Sequence, residues 1–526
     1  MRYRTIIVLL WLALITGTGC SGLLDHGPSI PSSNTLVLFD HGPMTLDPAM
    51  SQDVSSHIYV THIYSGLVGL DNDMQSSPEL AESWDVSPDS LTYTFHLRPD
   101  AAFHDGRPIT ATDLKYSWER ACRPETGSPT APTYLNDIVG VSEMLQGEAD
   151  SLSGVRVLDD HTLQVTINAP KAHFLAKLTY PVAYVVDKLN VESGKDWWRK
   201  PNGSGPFRLR DWDTGKLILL QRNDRYYGES AKLDHVAFLL SGGVPMRLYE
   251  KGDIDVTHVS LSHLDRVLDP TSPFLAEFNV FPELSLMFIG FDTTKPPFDD
   301  VRMRRALAQA VDKERLANQI FMGTVVPAYS ILPPGMPGWS RTQAYSYDLE
   351  EARTLVQQAG YGPENPMPLA NLTMTGEGGR IGQWLTSIMW EWTVELELEL
   401  GVRQLDSEAY FDKLGTELDQ MFFYGWVADY PDPQNFLEVL FGTGSINNVS
   451  GYSNSEVDRL LAAAAIEADT ETRLGLYRQA EEILMDEAAC IPLWFNENHM
   501  LIKPYVKDFS LNPLGVPRLA QVSLTK

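Results

Sequence analysis

The stretch LTYTFHLRPDAAFHDGRPITATDLKYSWER, residues 91–120, says more about the fold than any other part of the sequence. It opens with apolar side chains at every second position, separated by threonine, histidine and arginine, namely Leu91, Tyr93, Phe95 and Leu97. Such alternation is typical of a strand with one face on a core and the other in water. The pattern returns at Leu163, Val165 and Ile167, so the sequence predicts two half-buried strands.

Other segments predict interior strands and amphipathic helices. Thr35 to Phe39 and Lys216 to Gln221 are continuous apolar runs, as expected of strands buried on both faces. Elsewhere apolar residues recur with helical spacing beside cap or stop signatures. The predicted helices are Val301 to Phe321 capped by Asp299 or Asp300, one starting at Asp348 with Glu351 and stopping at Gly360, one starting at Ser453 with Glu456, and Thr470 to Ala489. This irregular mixture predicts an α/β fold without repeats.

Length and charge limit the classes of protein that fit. The 526 residues exceed what one compact core usually organises, so two or three domains are expected. Lysine and arginine number 41 against 69 aspartate and glutamate, which gives a net charge of -28. A surface this acidic repels phosphate backbones and argues against a nucleic-acid partner. The excess acid serves either solubility or the attraction of cationic ligands.

The amino terminus predicts export. After a short basic start, Thr5 to Thr16 is an apolar run shorter than the ~20 residues of a membrane-spanning helix, so residues 1–19 are a predicted signal peptide. Small residues before Cys20 resemble the bacterial lipobox, which makes Cys20 the expected lipidated terminus. Gly17 departs from that motif, and secretion without lipid stays open. Residues 20–34 predict a tether holding an extracytoplasmic or periplasmic body at a membrane.

Motifs for catalysis and metal binding are missing from the sequence. It contains no HExxH, G-x-S-x-G, GxxxxGK[ST] or paired CxxC motif. Cys122 and Cys490 lack metal-ligand spacing and are expected to be buried small residues, although the compartment would permit a disulfide. The sequence thus predicts a protein that is not an enzyme and that holds no metal or other cofactor.

Residues 91–120 also resemble a signature of the family 5 extracellular solute-binding proteins, the periplasmic oligopeptide- and dipeptide-binding proteins of ABC transporters. Further stretches resemble the same family in its own order: Leu46-Asp47-Pro48, PELAESW at 78–84, GSGPFRLRDWDTGKLILLQRNDRYY at 203–227, PPFDDVRMRR at 296–305, GWVADYPDPQNF at 425–436 and Gly451-Tyr452-Ser453. The resemblance therefore covers the chain from residue 35 to about residue 510, and the agreement in order makes it specific.

The resemblance implies a periplasmic-binding-protein-like fold of type II, cluster C. Two α/β lobes would be joined by a hinge of two crossing segments, with an extra domain inserted in lobe I. Lobe I would comprise residues 35–76, 200–295 and 495–526, the extra domain residues 77–199, and lobe II residues 296–494. The lobes would close over a ligand in the cleft between them. The family also implies a monomer that delivers its ligand to the permease of an ABC importer.

The resemblance assigns the candidate site as well. Family peptide binders hold the ligand's α-ammonium with an aspartate in the motif that here ends at Asp429, and a carboxylate suits this task because an ammonium in a dry cleft must be paired. The family also lays peptide backbone as an added strand along segments that are here 423–427 and 52–54. The implied ligand-binding residues are Gln52, Asp53, Val54, Tyr134, Phe423, Tyr424, Gly425, Trp426, Val427 and Asp429.

The identity of the ligand stays open at this point. In the best-known oligopeptide binders an arginine precedes the key aspartate by six residues, and this chain has Phe423 there. Recognition of a free carboxyl terminus is therefore in doubt, which leaves longer peptides, modified peptides and amine-bearing compounds. Strand alternation predicts that the aromatic residues at 422–426 do not all face a ligand. The alternatives are the same fold binding an oligosaccharide, nickel chelate, haem or opine, and a secreted peptide hydrolase.

Overall fold

The computed structural model of the chain describes residues 30–31, 33–341, 345–376, 379–414 and 418–525. The expected signal peptide, the lipidated Cys20 and nearly all of the 20–34 tether lie outside the described residues. Within the described part, no helix is both long and apolar enough to cross a bilayer.

The strands are Thr35–Phe39 (β1), Val68–Leu70 (β2), Ser76–Pro78 (β3), Ala81–Val86 (β4), Thr92–Leu97 (β5), Val155–Asp159 (β6), Thr162–Thr166 (β7), Phe207–Asp213 (β8), Leu217–Arg222 (β9), His235–Leu239 (β10), Val256–His258 (β11), Phe278–Pro282 (β12), Ser285–Phe291 (β13), Val325–Pro327 (β14), Ala370–Thr375 (β15), Leu400–Leu405 (β16), Met421–Val427 (β17), Cys490–Ile502 (β18), Val506–Lys507 (β19) and Ser523–Leu524 (β20).

The α-helices are Val54–Ile63 (α1), Ala111–Cys122 (α2), Ala131–Tyr134 (α3), Val141–Leu145 (α4), Phe174–Lys177 (α5), Lys188–Val191 (α6), Pro245–Lys251 (α7), Leu261–Leu268 (α8), Val301–Gln309 (α9), Lys313–Arg315 (α10), Leu349–Gln358 (α11), Gln383–Trp390 (α12), Ser407–Lys413 (α13), Gln434–Phe441 (α14), Ser455–Ile466 (α15) and Thr470–Asp486 (α16). Single 3₁₀ turns lie at Pro181–Ala183, Trp197–Arg199, Leu275–Glu277 and Leu519–Gln521, and π turns at Leu316–Ile320 and Glu391–Glu395.

Three sheets organise these elements. Sheet A has the strand order β1-β10-β9-β8, and sheet B the order β4-β5-β7-β6. Sheet C follows β11-β18-β13-β17-β15-β16, with β12 and β14 also paired to β18. Sheet B is antiparallel throughout, whereas β1–β10 in sheet A and both neighbours of β15 in sheet C are parallel pairs. The architecture is mixed α/β, as predicted.

The stretch at residues 91–120 folds as a strand, a turn and a helix around one core. In β5 the side chains of Tyr93, Phe95 and Leu97 are buried while their neighbours stay partly exposed, which confirms the predicted alternation. A capping box opens α2, since the main-chain N–H of Thr110 donates to the Asp113 carboxylate at 2.9 Å. The burial of apolar side chains on both elements therefore explains why this stretch decides the local fold.

Strand β18 joins the two ends of sheet C, and the end with β11 lies beside sheet A, where the N–H of Asp255 just before β11 donates to the main-chain oxygen of Val37 in β1 at 2.7 Å. Its carboxyl-terminal half pairs with β11 and β12, and its amino-terminal half pairs with β13 and β14. Strand β13 in turn pairs with β17 along its whole length. The lobe boundary expected at residue 295 stays a prediction; β12 and β13, on either side of residues 283–284, both pair with β18.

Two predicted helix boundaries are wrong for local reasons. The helix expected over 301–321 is interrupted after α9, because the Asp312 carboxylate accepts from the N–H of Arg315 and starts a new turn. The N-cap expected at Ser453 is instead Asn454, whose side chain accepts from the N–H of Glu456 at 2.9 Å. The Ser453 hydroxyl accepts from Thr443 at 3.0 Å and is already engaged. By contrast, Gly360 follows α11 with a φ of 93°, as a helix stop requires.

Both cysteines of the described region are free and buried, in agreement with the expectation that they are small core residues. Cys122 belongs to the core around sheet B, whereas Cys490 packs in a core on sheet C. Because they lie in separate cores, they form no disulfide here.

A buried ion pair holds the segment before α1 against α2. The Arg120 guanidinium donates to both carboxylate oxygens of Asp47, and the two side chains are 12% and 6% exposed. The same segment receives a hydrogen bond from the Ser128 hydroxyl to the Ala49 carbonyl oxygen. These contacts fix the relative position of the chain near Gln52 and the chain leading to Tyr134.

We expect Asp47→Ala to lower the free energy of unfolding by about 3 to 5 kcal/mol, because it leaves the Arg120 charge buried without a partner. The matched control is Asp224→Ala, since Asp224 is 73% exposed in its pair with Arg222 and exposed pairs contribute about 0 to 1 kcal/mol. Urea denaturation of both variants measures the effect. Equal losses in the two variants would contradict the role of the buried pair.

Candidate functional site

A cavity of about 840 Å³ lies where the β2–β3 pair, the start of α1 and the end of β17 approach one another. Stretches far apart in sequence form its wall, namely 52–61, 69–79, 129–134, 179–184, 424–429 and 512–516. It is large enough for a small organic ligand or short peptide, because such sites usually measure about 300 to 1,000 Å³. This cavity is the candidate site.

The structure brings almost all the predicted site residues to this wall. Those lining the cavity are Gln52, Asp53, Val54, Tyr134, Tyr424, Gly425, Trp426, Val427 and Asp429. Phe423 does not line it, because the cavity lies at the carboxyl-terminal end of β17 and Phe423 is further back along the strand. Its ring packs in a core against Trp384 and Trp494, with centroids 4.6 and 5.9 Å away. Phe422 is buried in a further core, so only Tyr424 and Trp426 of the four aromatic residues line the cavity.

Asp429 presents a carboxylate to the cavity from a sheltered position at the end of β17. Burial raises the pKa of its carboxyl from 3.8 to about 6, while hydrogen bonds from Tyr134 and Asn435 lower it and oppose that rise. The Asn435 amide donates to Asp429 Oδ2 at 3.1 Å. The carboxylate thus has neutral donors and no cationic partner within the described residues, which leaves its charge to be balanced by a guest.

Asn435 is the residue that sequence reasoning missed. It is 1% exposed on α14, and its side-chain oxygen accepts from the main-chain N–H of Asp429 at 3.1 Å and from Trp426 Nε1 at 2.9 Å. One side chain therefore fixes both the carboxylate and the indole of the wall. Its presence in the GWVADYPDPQNF stretch was the available signal, but nothing in the spacing indicates that it reaches back across the turn.

Two stacked tyrosines form the wall beside Asp429. The rings of Tyr134 and Tyr180 are parallel within 8°, with centroids 3.7 Å apart. Tyr430 meets Tyr134 edge to face at 6.2 Å and packs in the core around sheet B. The segment after β17 is thereby held against the sheet B body. This aromatic wall gives the cavity rigid, amphipathic surface for a ligand to contact.

One edge of β17 is available for backbone pairing. β15 pairs with this strand only at Met421 and Phe422, so among the described strands none covers that edge from residue 423 to 427. The N–H of Ala428 donates to the main-chain oxygen of Leu284, the residue before β13, at 2.7 Å, and antiparallel ladders alternate direction. The main-chain groups of Gly425 and Val427 therefore point away from β13 to the open edge.

The second expected edge, Gln52 to Val54, is not a strand. Val54 is the first residue of α1, and Asp53 is its N-cap with an extended backbone. The Asp53 carboxylate accepts from the N–H of Ser56 at 2.8 Å and from the Ser56 hydroxyl at 2.8 Å. A capping aspartate followed by serines favours the helix over an extended edge. The three side chains still line the cavity.

The charged side chains on the cavity wall are all of one sign. Of the described residues that line it, Asp53, Glu79 and Asp429 are acidic and none is lysine or arginine. Burial raises the pKa of Glu79 to about 7 and lowers that of His57 to about 4. His57 is therefore neutral near neutral pH. The cavity suits a cationic guest and has no basic group for a carboxylate.

No group of three or more histidine, cysteine, aspartate or glutamate side chains is placed to hold a metal ion in the ranges that the structure describes.

Comparisons with known proteins agree with this geometry. The family described as "Bacterial extracellular solute-binding proteins, family 5 Middle" matches residues 75–448. The periplasmic oligopeptide-binding protein OppA of Escherichia coli is 31% identical, over 92% of this chain and 91% of that protein. The probable deoxycholate-binding periplasmic protein YgiS of Escherichia coli is 30% identical, over 96% of each chain.

A solved structure extends the likeness to the fold. DppA from Helicobacter pylori, in complex with the peptide STSA, superposes with a TM-score of 0.77 at 27% identity. The match covers 94% of this chain and 98% of that one. It confirms the predicted fold class, periplasmic-binding-protein-like of type II. The matched family segment includes residues 91–120 and Asp429, which carried the resemblance, and the chain therefore belongs to the bacterial extracellular solute-binding proteins of family 5.

Proposed function

We propose that this protein captures peptides with a free amino terminus in the 840 Å³ cavity and delivers them to an ABC import permease. The observation that carries the proposal is Asp429, a sheltered carboxylate on the cavity wall with neutral donors around it and no lysine or arginine beside it among the described lining residues. A peptide α-ammonium would balance its charge, and the water-poor surroundings would strengthen the pairing.

Backbone pairing supplies the rest of the binding. The open edge of β17 offers the main-chain groups of Gly425 and Val427 to an extended peptide. Main-chain hydrogen bonds do not depend on side-chain identity, so one edge can accept many peptides. Tyr424 and Trp426 would contact the bound chain from the same wall, with ring centroids 6.3 Å apart. Gln52, Asp53, Val54 and Tyr134 complete the proposed binding set.

The carboxyl terminus of the peptide would not pair with a charged side chain of the cavity. No lysine or arginine is among the described lining residues, so the ligand carboxylate has no charged receptor in the cavity. We place the carboxyl terminus toward solvent, which allows peptides of more than one length.

The relatives support this assignment and its setting. A periplasmic oligopeptide-binding protein and a structure with bound STSA are both similar to this chain over most of its length. The chain would work outside the cytoplasmic membrane as a monomer held by a lipid on Cys20, and would catalyse no reaction. Its lobes would close over the peptide about the β12–β13 and β18 crossings, because only the closed state gives ligand contacts from both sides.

The second candidate function is capture of a ligand other than a peptide. One relative is named as a probable deoxycholate-binding protein and another as a haem-binding protein. Deoxycholate and haem carry carboxylates, which the cavity's acidic residues would repel. An oligosaccharide could stack on Tyr134 or Trp426, but it would leave Asp429 without a cation. A thermal-shift comparison of peptides, sugars, bile acids and haem separates these classes, because tight ligands raise the melting temperature.

We expect Asp429→Asn to weaken peptide binding by about 2 to 5 kcal/mol, because the α-ammonium loses its charged partner. The matched control is Asp412→Asn, an exposed aspartate on α13, which should bind as the wild type does. Isothermal calorimetry with a tripeptide such as Ala-Ala-Ala measures both. Unchanged affinity in the Asp429 variant, with its fold intact by circular dichroism, would refute the proposed role.

The affinity should also depend on pH. Burial raises the pKa of Asp429 to about 6, and a peptide α-ammonium stays protonated below about pH 7.7. As the pH falls through the Asp429 pKa the carboxyl becomes neutral, so affinity should drop by up to about tenfold per pH unit. Titrations of wild type and Asp429→Asn isolate this carboxyl, since Glu79 titrates in both. Parallel profiles would contradict the assignment.

A further inference from the structure

We infer that Glu79 forms a second cation site in the cavity, so that the preferred peptides carry a basic side chain as well as their amino terminus. The inference rests on the proposed function, because the same cavity must hold the peptide. It concerns which peptides are preferred, and it can fail while peptide binding itself stands.

Glu79 is positioned by the main chain around it. It follows β3, and its Oε2 accepts from the N–H of Gly66 at 3.0 Å. A Cβ built on Gly69 would lie 3.4 Å from the same oxygen, so the carboxylate rests directly on this part of the cavity wall. A carboxylate can accept about four hydrogen bonds. The bond to Gly66 therefore orients the group while leaving acceptor capacity for a guest.

Two tyrosine rings accompany the carboxylate. Tyr184 and Tyr226 line the cavity, and the charge of Glu79 contributes to raising the pKa of both phenols, which places them close to it. A Cβ on Gly66 would lie 3.0 Å from the Tyr184 ring. Aromatic faces beside a carboxylate favour an ammonium or guanidinium through cation–π attraction and cover the aliphatic stem of a lysine or arginine.

Within the ranges that the structure describes, no lysine or arginine forms an ion pair with the Glu79 carboxylate. Arg98 is the basic residue beside Glu79, but its Nε donates to the main-chain oxygen of Glu79 at 2.7 Å and its guanidinium lies 5.6 Å from the Tyr227 ring centroid. Burial raises the pKa of the Glu79 carboxyl to about 7, which is the behaviour of an acid without a charged partner. A bound cation would favour the ionised form and remove that penalty.

The number of acidic groups in the cavity also favours a peptide with a basic side chain. Asp53 is the N-cap of α1, where the positive end of the helix dipole stabilises its charge, so Glu79 and Asp429 are the two acidic groups among the described lining residues that lack such stabilisation. A peptide with a neutral side chain balances one of them. A peptide with one lysine or arginine balances both.

The test compares peptides that differ only in the terminal amine of one side chain. Tripeptides and tetrapeptides of alanine carry lysine or norleucine at each position in turn, and calorimetry gives their dissociation constants. We expect lysine to bind at least about tenfold more tightly than norleucine at one position. Glu79→Gln should bring this ratio close to one and leave the norleucine peptides unaffected, since its amide oxygen can still accept from Gly66.

Glu82→Gln is the matched control, because Glu82 is exposed on β4, and it should keep the wild-type ratio. A wild-type ratio near one at every position, or a preference that survives Glu79→Gln, overturns the inference while peptide binding stands. If no peptide binds, the proposed function fails, and linear alkyl diamines then serve as the probe. If diamines bind to the wild type and Glu79→Gln abolishes that binding, the result would still support the cation site. If diamines do not bind, or bind the variant equally well, the cation site is overturned.

Discussion

The thirteen residues of β18 pair with β11 and β12 along one half and with β13 and β14 along the other, and the rest of the architecture depends on that shared ladder. Its partners change between Trp494 and Glu497, next to the place where β12 gives way to β13. Two antiparallel segments thus cross together and are hydrogen-bonded to strands on both sides. A connection of this kind resists separation of the bodies and permits bending. It also fixes where β17 ends, because β17 is paired to β13 along its whole length.

Asn435 of α14 orients the polar groups at the end of β17. Asn435 accepts from Trp426 and from the main chain of Asp429 and donates to the Asp429 carboxylate, so one buried amide orients the indole and the acid together. Neutral hydrogen bonds hold the carboxylate in place without cancelling its charge. The Glu79 carboxylate is oriented in a similar way by the Gly66 N–H. Neither acid has a cationic partner among the described residues, which is how a binding site differs from a structural ion pair.

Several expectations from the sequence failed where a short-range contact outweighed the pattern. Val54 lies in a helix because Asp53 caps it, although an extended edge was expected. Asp312 divides the helix expected over 301–321 by the same kind of contact. Phe423 carries an aromatic side chain like its neighbours but faces a core, since strand alternation sends it to the other side of sheet C. The first and third expectations came from the family resemblance and the second from apolar spacing, and none of these signals includes the local contacts that decided the outcome.

The sequence by itself determined the half-buried strands at 92–97 and 162–166, the α/β class and the family, and it singled out Asp429 as a predicted ligand-binding residue, because these depend on local periodicity and on contiguous motifs. Only the tertiary structure decided that β13 belongs with β17, that Asn435 supports Asp429, and that Glu79 shares a cavity with it. The physical reason is that burial and unbalanced charge arise from residues far apart in the chain. Pro78-Glu79 looks like an ordinary loop in sequence, and its environment exists only once Gly66, Tyr184 and Tyr226 are assembled around it.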